Sequence, residues 1–255
     1  MTVQESSEIT PERQPPGRTL VFMPAFNEEF TVAEVVRSVR AELPAVDVLV
    51  IDDGSSDGTA HVARRAGARV ASLPFNQGLG AALHTGYLVA LRGGYDYCAH
   101  LDADGQHPVG ELRRLLATVW EERCDLALGS RYHPDGTPPA GGYQPTLARR
   151  IGISLFRRLL TLTCGTSFTD TTSGLRAANR RAIALFAHRY QPDFGELESL
   201  QRSVREGLRI MEVPVRMLPR IAGSSKITAP HFVFKGLLVV FVGALRRAEH
   251  QERPC

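Results

Sequence analysis

From residue 19 onward, short apolar runs alternate with longer stretches of helical spacing, and few folds accommodate that alternation. TLVFMPAF is a short apolar run closed by a proline and reads as a strand. In FTVAEVVRSVRAEL, Val32, Val35, Val36 and Val39 recur at helical spacing. VDVLVIDDG is a β-branched second strand, GTAHVARRAGA a helix stopped at Gly67, and RVASLP a third strand. GLGAALHTGYLVALRGG, rich in small residues, is a helix; YDYCAHLDADG, VGELRRLLATVWEER and CDLALGSRY follow as strand, helix and strand. This order argues an α/β fold with a mostly parallel, buried sheet and helices on both faces. Ligands of such sheets bind at the carboxyl ends of the strands.

The second half is less regular. PTLARRIGISLFRRLLTL reads as a long amphipathic helix, TDTTSGLRAANRRAIALF as loop, short strand and helix, and GELESLQRSVREGL as another helix. RIMEVPVRML is a strand that Pro214 assigns to an edge or a bulge. No repeat or linker divides the chain of 255 residues, so one domain is expected over 18–228. Before it, residues 1–17 form a polar, Pro-rich disordered tail without the apolar core of a signal peptide. After it, residues 229–255 form an amphipathic helix and tail. No uninterrupted apolar run reaches the roughly 18 residues of a membrane span. A net charge of +3 gives no reason to expect a nucleic-acid partner. Cys98, Cys124, Cys164 and Cys255 form no CxxC pair and no metal spacing, so free thiols in a reducing, cytoplasmic compartment are expected.

Three polar clusters fall at strand ends: Asn27-Glu28-Glu29, Asp52-Asp53, and Asp102, Asp104 and Gln106 within LDADGQHP. Ends of parallel strands share one rim, so the three clusters should converge. Adjacent carboxylates repel, and a structural turn needs only one, so Asp102 and Asp104 imply something positive between them. Oxygen ligands suit Mg²⁺ or Mn²⁺, held by a few carboxylates together with phosphate oxygens. A solvated acidic turn is the plainer alternative. Asp53 on the rim can accept N–H groups of a nucleobase, while Asp57 or Ser56 serves the turn and caps the helix from Gly58. NQGLGAALHTG resembles a phosphate loop, but close packing of helix on sheet accounts better for Gly80 and Gly86. RIAGSSK carries Arg220 and Lys226 at its ends and reads as a lid over a pyrophosphate or as a solvated linker; Arg131, after strand five, suits the same phosphate role.

PAFNEE, VLVIDDGSSDGT, NQGLGAAL, LDADGQHP, LGSRY, DTTSGLR, EVPV and RIAGSSK, in this order over residues 24–226, resemble the family-two glycosyltransferases. The likeness is greatest to polyprenyl-phosphate sugar synthases such as dolichyl-phosphate mannose and glucose synthases. The resemblance implies a GT-A fold, a nucleotide-sugar donor and inverting transfer. Through its motifs, Pro24, Phe26, Glu28, Ile51 and Asp53 would hold the nucleoside. Asp102, Ala103, Asp104 and Gln106 would form the metal and diphosphate site, and Arg131, Arg220 and Lys226 would contact donor phosphates or acceptor. Arg150 and Ser154 stand where the family places groups for a lipid phosphate. Phe26 replaces a frequent tyrosine and keeps a ring to stack on a base, and the transmembrane pairs of some members are missing.

The expected reaction moves a hexose from a GDP-mannose or UDP-glucose type donor to a polyprenyl phosphate. An acceptor phosphate is already anionic, whereas an alcohol acceptor needs a general base, for which Glu196, Glu198 and Asp170 are candidates. Favourable charge at a helix N-terminus is the plainer account of Glu196 and Glu198. Two alternatives stay open: a soluble enzyme with an alcohol or natural-product acceptor, and a silent nucleotide-sugar-binding protein. PHFVFKGLLVVFVGALRR places Phe232, Phe234, Leu237, Leu238, Phe241, Val242 and Leu245 on a helical stripe with Lys235, Arg246 and Arg247 near its ends. That suits a helix lying in a membrane interface, with docking on the enzyme's own core or on a homodimer partner as the alternative.

Overall fold

The computed structural model describes residues 15–133, 158, 161, 165–171, 173–190 and 195–218. The long middle helix falls almost wholly outside them, as do the RIAGSSK loop, the C-terminal stretch, most of the N-terminal tail, Cys164 and Cys255. Among the described residues the first half unfolds as read: β1 (Thr19–Ala25), α1 (Val32–Glu42), β2 (Asp47–Asp52), α2 (Thr59–Arg65), β3 (Arg69–Ser72), α3 (Leu79–Arg92), β4 (Tyr97–His100), α4 (Val109–Trp120) and β5 (Leu126–Ser130). The second half adds β6 (Arg176–Asn179), α5 (Arg180–Arg189), α6 (Gly195–Arg205) and β7 (Ile210–Pro214).

The seven strands form one sheet in the order β3-β2-β1-β4-β6-β5-β7. β1 pairs in parallel with β2 and β4, and β2 with β3, as the helical crossovers between them allow. β6 departs from this pattern: it lies antiparallel to both β4 and β5. β7 closes the edge in parallel with β5, where Pro214 is tolerated as the last rung. Pro24 within β1 lies beyond the last rung shared with β4, Phe22 with His100, so its missing N–H takes nothing from that ladder.

Successive strand residues point to opposite faces and thereby fill two cores. Val21, Met23, Val48 and Val50 pack with the valine stripe of α1 and the leucines of α4. Leu20, Phe22, Leu49 and Ile51 pack with α3, α5 and Phe168 on the other face. α3 comes very close to β1: a β-carbon on Gly86 would fall 2.3 Å from the ring of Phe22. This is the helix-on-sheet packing expected of that glycine. Cys98 and Cys124 are buried free thiols, and burial pushes both thiols up, Cys124 to about 11. Among the described residues no helix is long and apolar enough to cross a membrane.

Candidate active site

β1 and β4 are neighbours in the sheet, yet β1 leads outward to β2 and β3 while β4 leads to the opposite edge. Chains leaving two such strands part company and open a crevice at their carboxyl ends. The acidic turn after β4 lies at this switch point. The loops after β1 and β2 flank it on one side, and those after β5 and β7 on the other, because all five strands run the same way.

The loops after β1 and β2 are tied together. Asn27, in the left-handed region at φ 56°, accepts the Ser56 N–H on Oδ1 at 2.9 Å, and its own N–H donates to Ser55 Oγ. Glu28 N–H donates to Thr59 Oγ1, Thr31 Oγ1 donates to Glu28 Oε2, and Glu29 Oε2 accepts the Gly58 N–H. Asp57 performs the turn role expected of it by accepting the Thr59 N–H and hydroxyl, whereas Gly58 occupies the α2 cap position without a side-chain bond. Phe26 and Glu28 keep partial exposure here.

Several residues expected at the nucleoside or, for Ala103, at the metal and diphosphate are buried. Ile51 is fully buried, because strand alternation aims it into the core with Phe22 and Leu83. Pro24 and Ala103 are buried as well. The Asp53 carboxylate, 3% exposed, accepts the Gln77 N–H at 2.8 Å on Oδ1 and the Gly78 N–H at 2.9 Å on Oδ2. Expected to read a base, it fixes the turn into α3, where Gly78 takes φ 91°.

The acidic turn is more compact than its sequence suggests. Gly105 takes φ 75°, and Asp104 Oδ1 accepts the Gln106 N–H at 3.0 Å. Asp104 is buried, while the Asp102 side chain is 33% exposed. Gln106, expected at the metal, spans to the exit of β7: its carbonyl accepts the Leu218 N–H and its Nε2 donates to the Leu218 carbonyl. Its Oε1 is the end suited to a cation. Among the described residues no three His, Cys, Asp or Glu side chains cluster as a metal cage. Two carboxylates and an amide oxygen are still an all-oxygen set, which fits Mg²⁺ or Mn²⁺ completed by phosphate oxygens and water.

Beside this turn lies a network that motif reading left largely unassigned. Arg131 forks onto Asp170, with Nε 2.6 Å from Oδ2 and Nη2 2.8 Å from Oδ1, and both side chains are buried. Asp170, considered as a base, is therefore a buried anchor, and Arg131, expected at donor phosphates, is held inside by it. Glu212 of β7 accepts the Thr169 N–H, the Thr169 hydroxyl and the Asp170 N–H, fixing the loop that carries Asp170. Glu198, the other base candidate described, pairs with Arg202 one turn along α6 at 2.6 Å. The Glu196 side chain, Arg150, Ser154, Arg220 and Lys226 lie outside the described residues. Burial holds His107 at about 4, helped by Arg131, and burial with the charge of Arg176 keeps His100 well below the usual imidazole range. Both are neutral at physiological pH. Gly174, whose α-carbon backs onto Asp102, and Glu212 lie in the quoted motifs DTTSGLR and EVPV, but nothing local in the sequence marks them as neighbours of this turn.

Comparison with known proteins agrees with this layout. The model of the family described as Glycosyl transferase family 2 matches residues 20–186. A polyprenol monophosphomannose synthase from Mycolicibacterium smegmatis is 34% identical over 224 residues, covering 84% of this chain and 83% of that protein. An undecaprenyl-phosphate mannosyltransferase from Micrococcus luteus is 34% identical over 221 residues, covering 83% and 88%. Among solved structures, glucosyl-3-phosphoglycerate synthase from Mycobacterium tuberculosis, in complex with Mn²⁺, uridine diphosphate and phosphoglyceric acid, superposes with a TM-score of 0.70 over 90% of this chain and 79% of that one. At 22% identity that likeness speaks for the fold.

Proposed function

The chain belongs to glycosyl transferase family 2, and from that premise we propose that it transfers a hexose, mannose before glucose, from a nucleoside diphosphate sugar to a polyprenyl phosphate. The observation that carries the reading is the pair Asp102 and Asp104 at the switch point of the sheet, where a donor diphosphate would be drawn in with its cation. The choice of acceptor and of mannose rests on the two 34% identical relatives named for mannosyl transfer to polyprenol or undecaprenyl phosphate.

Asp102, Asp104 and Gln106 Oε1 would hold Mg²⁺ or Mn²⁺, whose charge would offset that developing on the leaving diphosphate. Phe26 offers a ring for the base. An acceptor phosphate oxygen attacks the anomeric carbon opposite the diphosphate. The new carbon–oxygen bond forms as the old one breaks, and the bonding pair leaves with the nucleoside diphosphate. The acceptor oxygen is already ionised, so no general base is required, in keeping with Asp170 and Glu198 being committed to arginines. Arg150, Ser154, Arg220, Lys226 and the C-terminal stretch complete the reading as contacts to phosphate and membrane surface.

The test is transfer of labelled sugar from GDP-mannose and UDP-glucose, each offered with polyprenyl phosphate or with soluble alcohols. The expected result is an organic-extractable, mild-acid-labile product from GDP-mannose that requires divalent cation. Label appearing only in a soluble glycoside would overturn the lipid acceptor. Label from UDP-glucose alone would overturn mannose.

A further inference from the structure

His107 is a buried imidazole with no hydrogen-bond partner on either ring nitrogen among the described residues. Buried polar groups are rarely left so, and each exception calls for a reason. Asp102 Oδ2 lies 3.8 Å from His107 Nε2, just beyond hydrogen-bond reach, and the charge of Asp170 also acts on the ring. The ring is held there from both sides along the chain. Gly105 makes the preceding turn at φ 75°, and the following Pro108 restricts the His107 backbone to extended conformations. Asp102 is confined too: a β-carbon on Gly174 would lie 2.8 Å from the same Oδ2 and 3.1 Å from Oδ1. The carboxylate therefore sits between a glycine that leaves it just enough space and an imidazole beside it, with about a third of its side-chain surface exposed.

We propose that His107 is a positioning residue for the divalent cation: its Nε2–H donates to Asp102 Oδ2 when the carboxylate turns to its ligating orientation, which leaves Oδ1 for the ion. A shift of about 1 Å closes the gap to an ordinary hydrogen bond. Neutral imidazole in the Nε2–H tautomer and imidazolium both supply this donor, so the role does not depend on the protonation of the ring. Outer partners of this kind fix the direction of a ligand and sharpen the site for its ion. The unsatisfied imidazole is then a group kept for the loaded state at the expense of the empty one.

This inference rests on the reading of Asp102 and Asp104 as cation ligands, and the experiment separates the two. Mn²⁺ binding is measured by electron paramagnetic resonance in the presence of GDP or UDP for the full-length wild type, Asp104→Asn, His107→Phe and His107→Gln, with thermal melting of each. Asp104→Asn should remove Mn²⁺ binding. His107→Phe keeps the bulk without the donor; it should melt at or above the wild-type temperature and bind Mn²⁺ about 10–100-fold more weakly. His107→Gln restores an N–H donor and should recover part of that loss. If His107→Phe melts like the wild type and binds Mn²⁺ as tightly, the positioning role is wrong while the cation reading stands. If the wild type and Asp104→Asn bind Mn²⁺ alike, both fall. If His107→Phe is too unstable to assay, equal binding by His107→Gln and His107→Ala overturns the role, and tighter binding by His107→Gln supports it.

Discussion

A β-carbon placed on Gly174 falls 2.8 Å from Oδ2 and 3.1 Å from Oδ1 of Asp102, so these two residues meet with no room for a methyl group between them. The backbone of Gly174 lies outside the left-handed region, so alanine there carries no conformational strain of its own. Gly174→Ala should fold normally and push Asp102 aside. We expect affinity for Mn²⁺ with nucleoside diphosphate, read by titration calorimetry, to fall about 10–100-fold. Unchanged affinity would show that Asp102 has another ligating orientation.

Turnover should require Mg²⁺ or Mn²⁺ and stop in excess chelator. Asp104→Asn keeps the shape of the turn and the acceptor for the Gln106 N–H but loses the charge. Its turnover should fall about 10²–10³-fold, the range for deleting one contact to developing charge. Full activity in chelator would remove the cation from the reaction.

Asp53 makes a structural prediction. Asp53→Ala leaves the N–H groups of Gln77 and Gly78 without their acceptor, a loss of about 1.5–3 kcal/mol. The exposed Phe75 nearby is a chymotrypsin site. Urea unfolding should show the loss, and cleavage after Phe75 should accelerate even without nucleotide. Equal cleavage in both proteins would mean the turn is held by other contacts.

Glu212→Gln replaces two acceptor oxygens by one and turns an NH₂ toward donors on Thr169 or Asp170. Stability should drop by about 1–3 kcal/mol. Because Asp170 then loses its mooring and Arg131 with it, turnover should also fall at temperatures where the variant is fully folded. Full turnover there would confine Glu212 to a structural role.

Asp125 supplies a pH dependence. Burial raises its pKa, but the Arg209 N–H at 2.8 Å, the Arg209 side chain and Asn179 outweigh that and hold the carboxyl below its usual value. A depressed folded value means that its stabilisation is complete above the unfolded value of about 3.9 and disappears as pH falls through the folded one. Wild type should therefore exceed Asp125→Asn in melting temperature at pH 7, and the gap should close on acidification below about pH 4. A gap that persists into that range would assign it to shape instead of charge.

The first five strands and four helices were legible because valine-rich runs and the Val32, Val35, Val36 and Val39 stripe carry the two periodicities directly. The direction of β6 was not, since RAAN has no feature that distinguishes a parallel rung from an antiparallel one; only its neighbours decide. In the site, the place of Asp102 and Asp104 followed from strand order. The aim of a side chain did not. Asp53 at a strand end can face a ligand or the next loop, and the choice depends on Gln77 and Gly78, 24 and 25 residues away. Glu212 on an edge strand reads as a solvated acid until the loop around Thr169 is folded against it.

The reversed course of β6 has an evolutionary consequence. β5 ends at the rim with Ser130, and β6 starts from the same rim with Arg176, so the chain leaves the sheet and re-enters it on one rim. Such an excursion can be lengthened, shortened or exchanged without rethreading any strand. The half of the protein built on β1, β2 and β3 is spared by those changes, so one part of the rim can diverge while the other is inherited intact.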